Sequence, residues 1–222
     1  LPLNNAKDYL KFIEKFCKEN NCTLIFDEII TGVRVNTGSV QQKYKIDADI
    51  TTIGKMVGGG LPIGIIGISK KINKIINKKK IQIFFGGTFS GNSLSTFVGN
   101  ETLKYLLKNK SVFSNLNQKC SYFQKSINQF ILKEKLDAQV LRFDSIIRIV
   151  FSKKKMQNRL QRDFFERTNM SKIKKFREYL LNKRIYYPRN GIIFFSENIS
   201  KKNINYVIYH VKIGLKKISW HL

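Results

Sequence analysis

The residues best equipped for chemistry lie in Gly54-Lys55-Met56-Val57-Gly58-Gly59-Gly60-Leu61-Pro62-Ile63-Gly64, where a single lysine stands among glycines and apolar side chains. Glycine adopts backbone angles closed to other residues and lets a bulky group come close to the main chain. Such surroundings offer the Lys55 amine little solvation. Desolvation favours the neutral amine, the form that attacks carbonyl carbon. Upstream, Asp27 and Glu28 close the apolar run Thr23-Leu24-Ile25-Phe26. A carboxylate at a strand end is placed to hold a ring nitrogen protonated, and a lysine on a glycine-rich loop to take an aldehyde. Those are the two groups that a pyridoxal phosphate site needs.

These residues belong to four blocks: Leu24-Ile25-Phe26-Asp27-Glu28 with Thr31-Gly32-Val33-Arg34; Asp49-Ile50-Thr51-Thr52-Ile53-Gly54-Lys55; Gly58-Gly59-Gly60-Leu61-Pro62-Ile63-Gly64; and Gly86-Gly87-Thr88-Phe89-Ser90-Gly91-Asn92. In order and spacing they resemble the class III aminotransferases of fold type I, and within that class most of all the glutamate-1-semialdehyde 2,1-aminomutases. Four blocks in register make a specific signal, where any one alone is weak. The similarity fades after about residue 110 and is loose in the last third.

The resemblance implies pyridoxal 5'-phosphate as cofactor. Lys55 would hold it as a Schiff base and shuttle protons on the substrate adduct, and Asp27 would bind the pyridine nitrogen. Ile29 would pack on one face of the ring. Gly87 and Thr88 would reach the cofactor phosphate of a neighbouring subunit, which implies a homodimer with its site at the interface. Glu28 matches the motif without an assigned chemistry. The implied reaction moves an amino group between small molecules. In the aminomutases it converts glutamate 1-semialdehyde to 5-aminolevulinate, a tetrapyrrole precursor. Pro188-Arg189-Asn190-Gly191 stands where the aminomutases carry a serine and a Phe-Glu pair. That departure leaves a class III aminotransferase acting on a sugar, amine or keto acid as the alternative. The chain opens at Leu1 in what reads as the middle of a fold. It is expected to be a C-terminal fragment, with the phosphate loop and the ring-stacking aromatic residue upstream.

Hydrophobic periodicity supplies the elements that position these groups. Tyr9, Leu10, Ile13, Phe16 and Cys17 mark an amphipathic helix over 6–19, ended by Asn20-Asn21. A buried strand over 23–26, a strand at 50–53 and apolar runs at 63–68 and 81–85 follow. Asn92 is placed to cap a helix through about Leu107, with Leu94, Phe97, Val98, Tyr105 and Leu106 on its stripe. Phe113, Leu116, Cys120, Phe123, Ile127 and Phe130 recur at helical steps. Beyond them the pattern predicts a strand at 146–151 containing Arg148 and a helix marked by Ile173, Phe176 and Leu180. Short strands at 185–187 and 192–195 and a last helix capped by Ser200 complete it. The predicted fold is α/β. Residues 1–110 would be part of a fold type I large domain, with a mainly parallel sheet between helices, and 111–222 a small α+β domain. Arg148 and Arg189 are candidate anchors for a substrate carboxylate, beside the simpler reading of solvated arginines. His210 and His221 have no acid, serine or cysteine pattern to act with.

Composition narrows the partners. Lysine and arginine outnumber aspartate and glutamate 41 to 15, for a net charge of +26. That raises the alternative of a basic nucleic-acid-binding module without catalysis. The lysines are spread along the chain with no binding motif, as drift towards lysine, asparagine and isoleucine would produce, so neither nucleic acid nor membrane is expected as partner. Cys17, Cys22 and Cys120 are too few for a disulfide framework or a zinc site. They suit free thiols in a cytoplasmic protein.

Overall fold

The computed structural model describes residues 5–84 and 86–219. The chain is α/β and divides into two compact units, Asn5–Phe113 and the residues from Ser114 onward.

The first unit contains α1 (Ala6–Glu19), β1 (Ile25–Glu28), α2 (Ser39–Tyr44), β2 (Ile50–Gly54), a one-turn 3-10 helix (Lys55–Gly58), β3 (Gly64–Ile68), α3 (Lys70–Lys78) and α4 (Ser93–Lys108). Its sheet has the order β1-β2-β3, with β1 parallel and β3 antiparallel to β2. Ile50, Thr51, Thr52 and Ile53 are all β-branched and suit the central strand. The crossover from β1 to β2 buries Val33, Val35, Val40 and Ile46, and the 3-10 turn buries Val57.

Helix α1 ends in a Schellman cap. Asn20 N–H donates to Phe16 O at 3.0 Å, Cys22 N–H to Cys17 O at 2.9 Å, and Asn21 between them has φ 53°. The buried residue of α1 is Glu14, not a member of its apolar stripe. Glu14 accepts from Lys11 Nζ at 2.7 Å, Lys18 Nζ at 3.3 Å and Asp47 N–H at 2.9 Å. Burial alone would raise its pKa. The hydrogen bonds from Lys11, Asp47 and Lys18 outweigh it and hold the carboxyl down at about 2.

The second unit is built on α5 (Ser111–Lys133), which starts just before the division. It continues with β4 (Gln139–Phe143), β5 (Ile146–Val150), α6 (Arg159–Thr168), α7 (Met170–Asn182), β6 (Ile192–Phe194) and α8 (Lys201–Ser219). The strands form an antiparallel sheet in the order β4-β5-β6. Cys120, Phe123 and Ile127 of α5 are buried, together with Ile147 and Ile149 of β5, Phe176 and Leu180 of α7, and Val211 and Leu215 of α8. Phe176 meets the rings of Phe151 and Tyr187 edge-on, each at 5.3 Å. Polar side chains of α5 reach β4. Asn128 Oδ1 accepts from Val140 N–H at 2.8 Å, while Val140 O accepts from Asn128 Nδ2 at 3.0 Å and Gln124 Nε2 at 2.9 Å.

Several expectations are corrected. The first strand covers 25–28, not 23–26, and Ile25 is exposed on a face of the sheet that no other described residue covers. Residues 185–187 form no strand, and the apolar run at 81–84 is irregular; Phe85 lies outside the described residues. Tyr186 is exposed and Tyr187 turns inward to pack on Phe176, so alternation there reflects ring packing rather than sheet pairing. Leu94, Phe97 and Tyr105 of α4, like Tyr9 and Phe16 of α1, are exposed. Asn92 and Ser200 do cap α4 and α8, through bonds from Ser95 N–H at 3.0 Å and Asn203 N–H at 3.1 Å.

Glu14 sets an acid limit on stability. Its folded pKa lies below the ordinary 4.5, so its contribution is complete above that pH and is lost as pH falls towards about 2. Urea unfolding across this window should show stability falling faster for the parent than for Glu14→Gln. Near neutral pH the variant should be less stable by about 1–3 kcal/mol.

Candidate active site

β1 and β2 run in the same direction, with Asp27 opposite Thr52 and Glu28 opposite Ile53. Lys55 follows directly on the last residue of β2. Parallel strands present their carboxyl ends at one edge of a sheet, where the functional groups of α/β proteins collect. Asp27, Ile29 and Lys55 are brought to that edge.

Asp27 is exposed but held. Its Oδ1 accepts from Ile29 N–H at 3.0 Å and from Thr52 Oγ1 at 3.2 Å. Its Oδ2 makes no hydrogen bond to any described residue, so one carboxylate oxygen is oriented by the other. The Lys55 amine makes neither a hydrogen bond nor an ion pair with any described residue. Its φ of 50° lies in the left-handed region, which costs a residue other than glycine about 1–3 kcal/mol and clusters at functional sites. Ile29, 36% exposed, leaves an apolar surface beside Asp27.

The expectation of a desolvated amine is corrected, because Lys55 is exposed. The glycines after it serve close packing within the protein. Gly59 has φ 60°, and a Cβ there would lie 2.9 Å from Val98 Cγ1 and closer still to Thr102 Oγ1, both on α4. What approaches the main chain is a helix that supports the lysine turn.

Glu28, which the sequence left without a role, is fully buried. Its Oε1 accepts from Gln41 N–H at 2.9 Å and its Oε2 from Val40 N–H at 3.2 Å and from the Thr31 hydroxyl. Gly38 precedes α2 and has no side chain to cap it, so Glu28 satisfies the first N–H groups of that helix from the end of β1. The crossover is fixed in other ways too. Ser39 Oγ accepts from Val33 N–H at 2.8 Å, holding a β-branched residue at φ 47°. Arg34 Nη1 lies 3.4 Å from Met56 Sδ, next to Lys55. The sequence signals were an acid at a strand end with threonine three residues on, and a glycine at the cap position.

Gly87 and Thr88 lie in a turn closed by Ser90 N–H on Gly87 O at 2.9 Å, just ahead of the Asn92 cap of α4. Both are exposed, as are all the described residues of 81–94, Phe84 by 93% and Phe89 by 78%. No hydrogen bond joins Gly87 or Thr88 to Asp27 or Lys55.

Arg148 is not a free anchor. Its Nε donates to Glu166 Oε1 at 2.9 Å and its Nη2 to Oε2 at 2.7 Å, a two-pronged ion pair from β5 to α6. Arg189 is exposed on a turn closed by Gly191 N–H on Pro188 O at 2.9 Å. His210 Nδ1 is 3.1 Å from Tyr179 Oη; burial and the charge of Lys183 lower its pKa. His221 lies outside the described residues. Among the described residues no cluster of three histidine, cysteine or acidic side chains is placed to hold a metal, and no helix is long and apolar enough to cross a membrane.

A carboxylate oxygen and a primary amine, both without partners at one sheet edge, fit pyridoxal 5'-phosphate: the acid suits a protonated ring nitrogen and the amine an aldehyde.

The sequence model of the aminotransferase class-III family matches residues 3–175. The glutamate-1-semialdehyde 2,1-aminomutase of Caldicellulosiruptor bescii is 32% identical over 185 residues, covering 82% of this chain and 42% of that protein. The enzyme of the same name from Thermosipho africanus is 31% identical over 215 residues, 95% of this chain and 49% of that protein. Among solved structures, a glutamate-1-semialdehyde aminomutase from Pseudomonas aeruginosa PAO1 in complex with PMP has a TM-score of 0.84 at 16% identity, covering 96% of this chain and 48% of that one. The chain spans about half the length of the curated relatives it matches.

Replacing Glu28 tests the clasp behind this edge. Glu28→Ala strands two N–H groups and a hydroxyl, and should lower stability in urea by about 3 kcal/mol. Glu28→Gln keeps one acceptor oxygen and should lose less.

Proposed function

Because the chain belongs to the class-III aminotransferases, with the fold of that family, we propose that it forms the lysine-bearing part of a glutamate-1-semialdehyde 2,1-aminomutase that uses pyridoxal 5'-phosphate. Residues 1–110 would belong to the cofactor-binding large domain and 111–222 to the small domain. The observation that carries this proposal is the parallel pairing of β1 and β2, which sets an unpartnered Asp27 Oδ2 and an unpartnered Lys55 Nζ at one sheet edge.

When bound, the cofactor supplies an aldehyde for the lysine and a ring that draws electrons from the substrate carbon. Lys55 Nζ would be the primary amine that holds the cofactor through that aldehyde, and its free amine would serve as the base that moves protons between substrate carbons. Asp27 Oδ2 holds the proton on the ring nitrogen, and the Thr52 and Ile29 bonds to Oδ1 keep the carboxylate from turning away. Ile29 offers an apolar face to the ring. The Gly87 N–H and the Thr88 hydroxyl would hold the cofactor phosphate of a neighbouring subunit in a homodimer. The exposure of two phenylalanine rings, Phe84 and Phe89, in that stretch supports it, since aromatic side chains are enriched at interfaces. Three free thiols suit a cytoplasmic setting.

A second substrate class has its own support: the Pro188–Gly191 turn carries an exposed Arg189. An aminotransferase acting on a sugar, amine or keto acid would use the same lysine and acid.

The test is spectroscopic first. The full-length protein incubated with pyridoxal 5'-phosphate should show a visible absorption band that is absent in Lys55→Ala, with turnover reduced on the order of a thousandfold or more. A folded parent without the band would remove the cofactor assignment. Turnover of glutamate 1-semialdehyde without an added amino donor would support the mutase, whereas turnover only of amine and keto-acid pairs would replace it with the aminotransferase.

A further inference from the structure

Cys17 and Cys22 lie outside the site described above, yet the fold brings them together. In the Schellman cap of α1, Cys17 occupies the third position from the helix end and Cys22 the second position beyond the cap residue Asn20. Their main chains are joined directly by the Cys22 N–H···O Cys17 bond of 2.9 Å. In this motif the side chains at those two positions often meet over the cap, and the Cys22 thiol already lies over it, with Sγ 3.6 Å from Asn20 O. Here both are thiols, where an apolar pair would serve the packing alone. A disulfide spans Cα atoms about 4.4–6.8 Å apart, the scale of residues joined by one backbone hydrogen bond. Cys22 is exposed and Cys17 half-buried, while Cys120 is fully buried, with its Sγ 3.6 Å from Ser145 O.

We infer that Cys17 and Cys22 are a reversible dithiol–disulfide pair, a modification site for low-molecular-weight disulfides of the oxidised glutathione class. The Cys22 thiolate attacks one sulfur of the glutathione disulfide. That S–S bond breaks, and one glutathione thiolate leaves with the bonding electrons. The Cys17 thiolate then attacks the Cys22 sulfur of the mixed disulfide and expels the second glutathione thiolate. The protein gives up two electrons and two protons, and the glutathione disulfide takes up both. Exposed disulfides closing short loops are labile, so excess thiol reverses the change. Cys22 lies three residues before β1, and Leu24 N–H is already held by Asp49 Oδ2 at 3.0 Å. Closure therefore locks the left-handed turn at Asn21 and the corner from which the strand bearing Asp27 departs.

The experiment incubates the full chain with oxidised glutathione under native conditions, followed by peptide mapping by mass spectrometry without reduction. The parent should lose two hydrogens and yield a peptide linked between Cys17 and Cys22, with both thiols regained on adding reduced glutathione. Cys120, buried, stays unmodified and reports that the chain is folded. Cys17→Ser should stop at the Cys22–glutathione mixed disulfide, accumulating it at least ~10-fold above the parent, because no resolving thiol remains. If the folded parent keeps both thiols, or accumulates the Cys22 adduct as much as Cys17→Ser does, the pair does not exist. Because no activity is read, the outcome is independent of the proposed enzymatic reaction.

Discussion

The parallel pairing of β1 with β2 is the constraint on which the first unit depends. Side chains alternate along a strand, so two adjacent acids on β1 face opposite ways: Asp27 is exposed and Glu28 buried. One serves the open edge and the other the protein behind it. A slip of one residue in register would exchange them, sending the clasp into solvent and the free carboxylate into the crossover. The hydrogen bonds of Glu28 to Val40 and Gln41 oppose that slip.

Around this edge the backbone departs from its commonest angles. Lys55, Val33 and Ser39 all have positive φ. Such conformations persist only where their neighbours determine them more than once. Val33 is held through Ser39 Oγ, α2 through Glu28, and the turn after Lys55 by α4 packed on Gly59. Strain at the lysine is balanced by a polar clasp on one side and helix packing on the other. The second unit has a different economy, with edge-on rings around Phe176 and an apolar stripe of α5 closing on β5.

What could be read from sequence follows from how local each feature is. Helices α1, α5 and α8 announce themselves through apolar spacing, and Asn92 and Ser200 through caps that need only neighbouring N–H groups. The class III blocks locate Lys55 and Asp27 because their surrounding glycines and acids keep a recognisable order. Features that need a distant partner were hidden. Arg148 reads as a substrate anchor or, more simply, a solvated arginine, and it is neither free nor solvated once Glu166 pairs with it from α6, itself a helix with no buried residue to betray it. The acceptor role of Glu28 depends on a helix start eleven residues downstream that lacks a side-chain cap of its own. The run at 185–187 had strand-like composition and no strand to pair with. Glycine and apolar neighbours read as a desolvating environment for Lys55, but they make room for α4 and leave the amine exposed.

The bonds between Asn128 and Val140 have a consequence for how the second unit behaves in company. β4 is an outer strand, and at Val140 it would otherwise offer one donor and one acceptor to any passing extended chain. The Asn128 side chain presents the same pair of groups as a peptide bond, and both bonds are made within the molecule. It stands in for a neighbouring strand and ends the sheet there. Gln124 Nε2 adds a second bond to Val140 O, so recruitment of a second molecule by strand addition at this position would have to displace amides that are already in place, and β4 is guarded against polymerisation by side chains from α5.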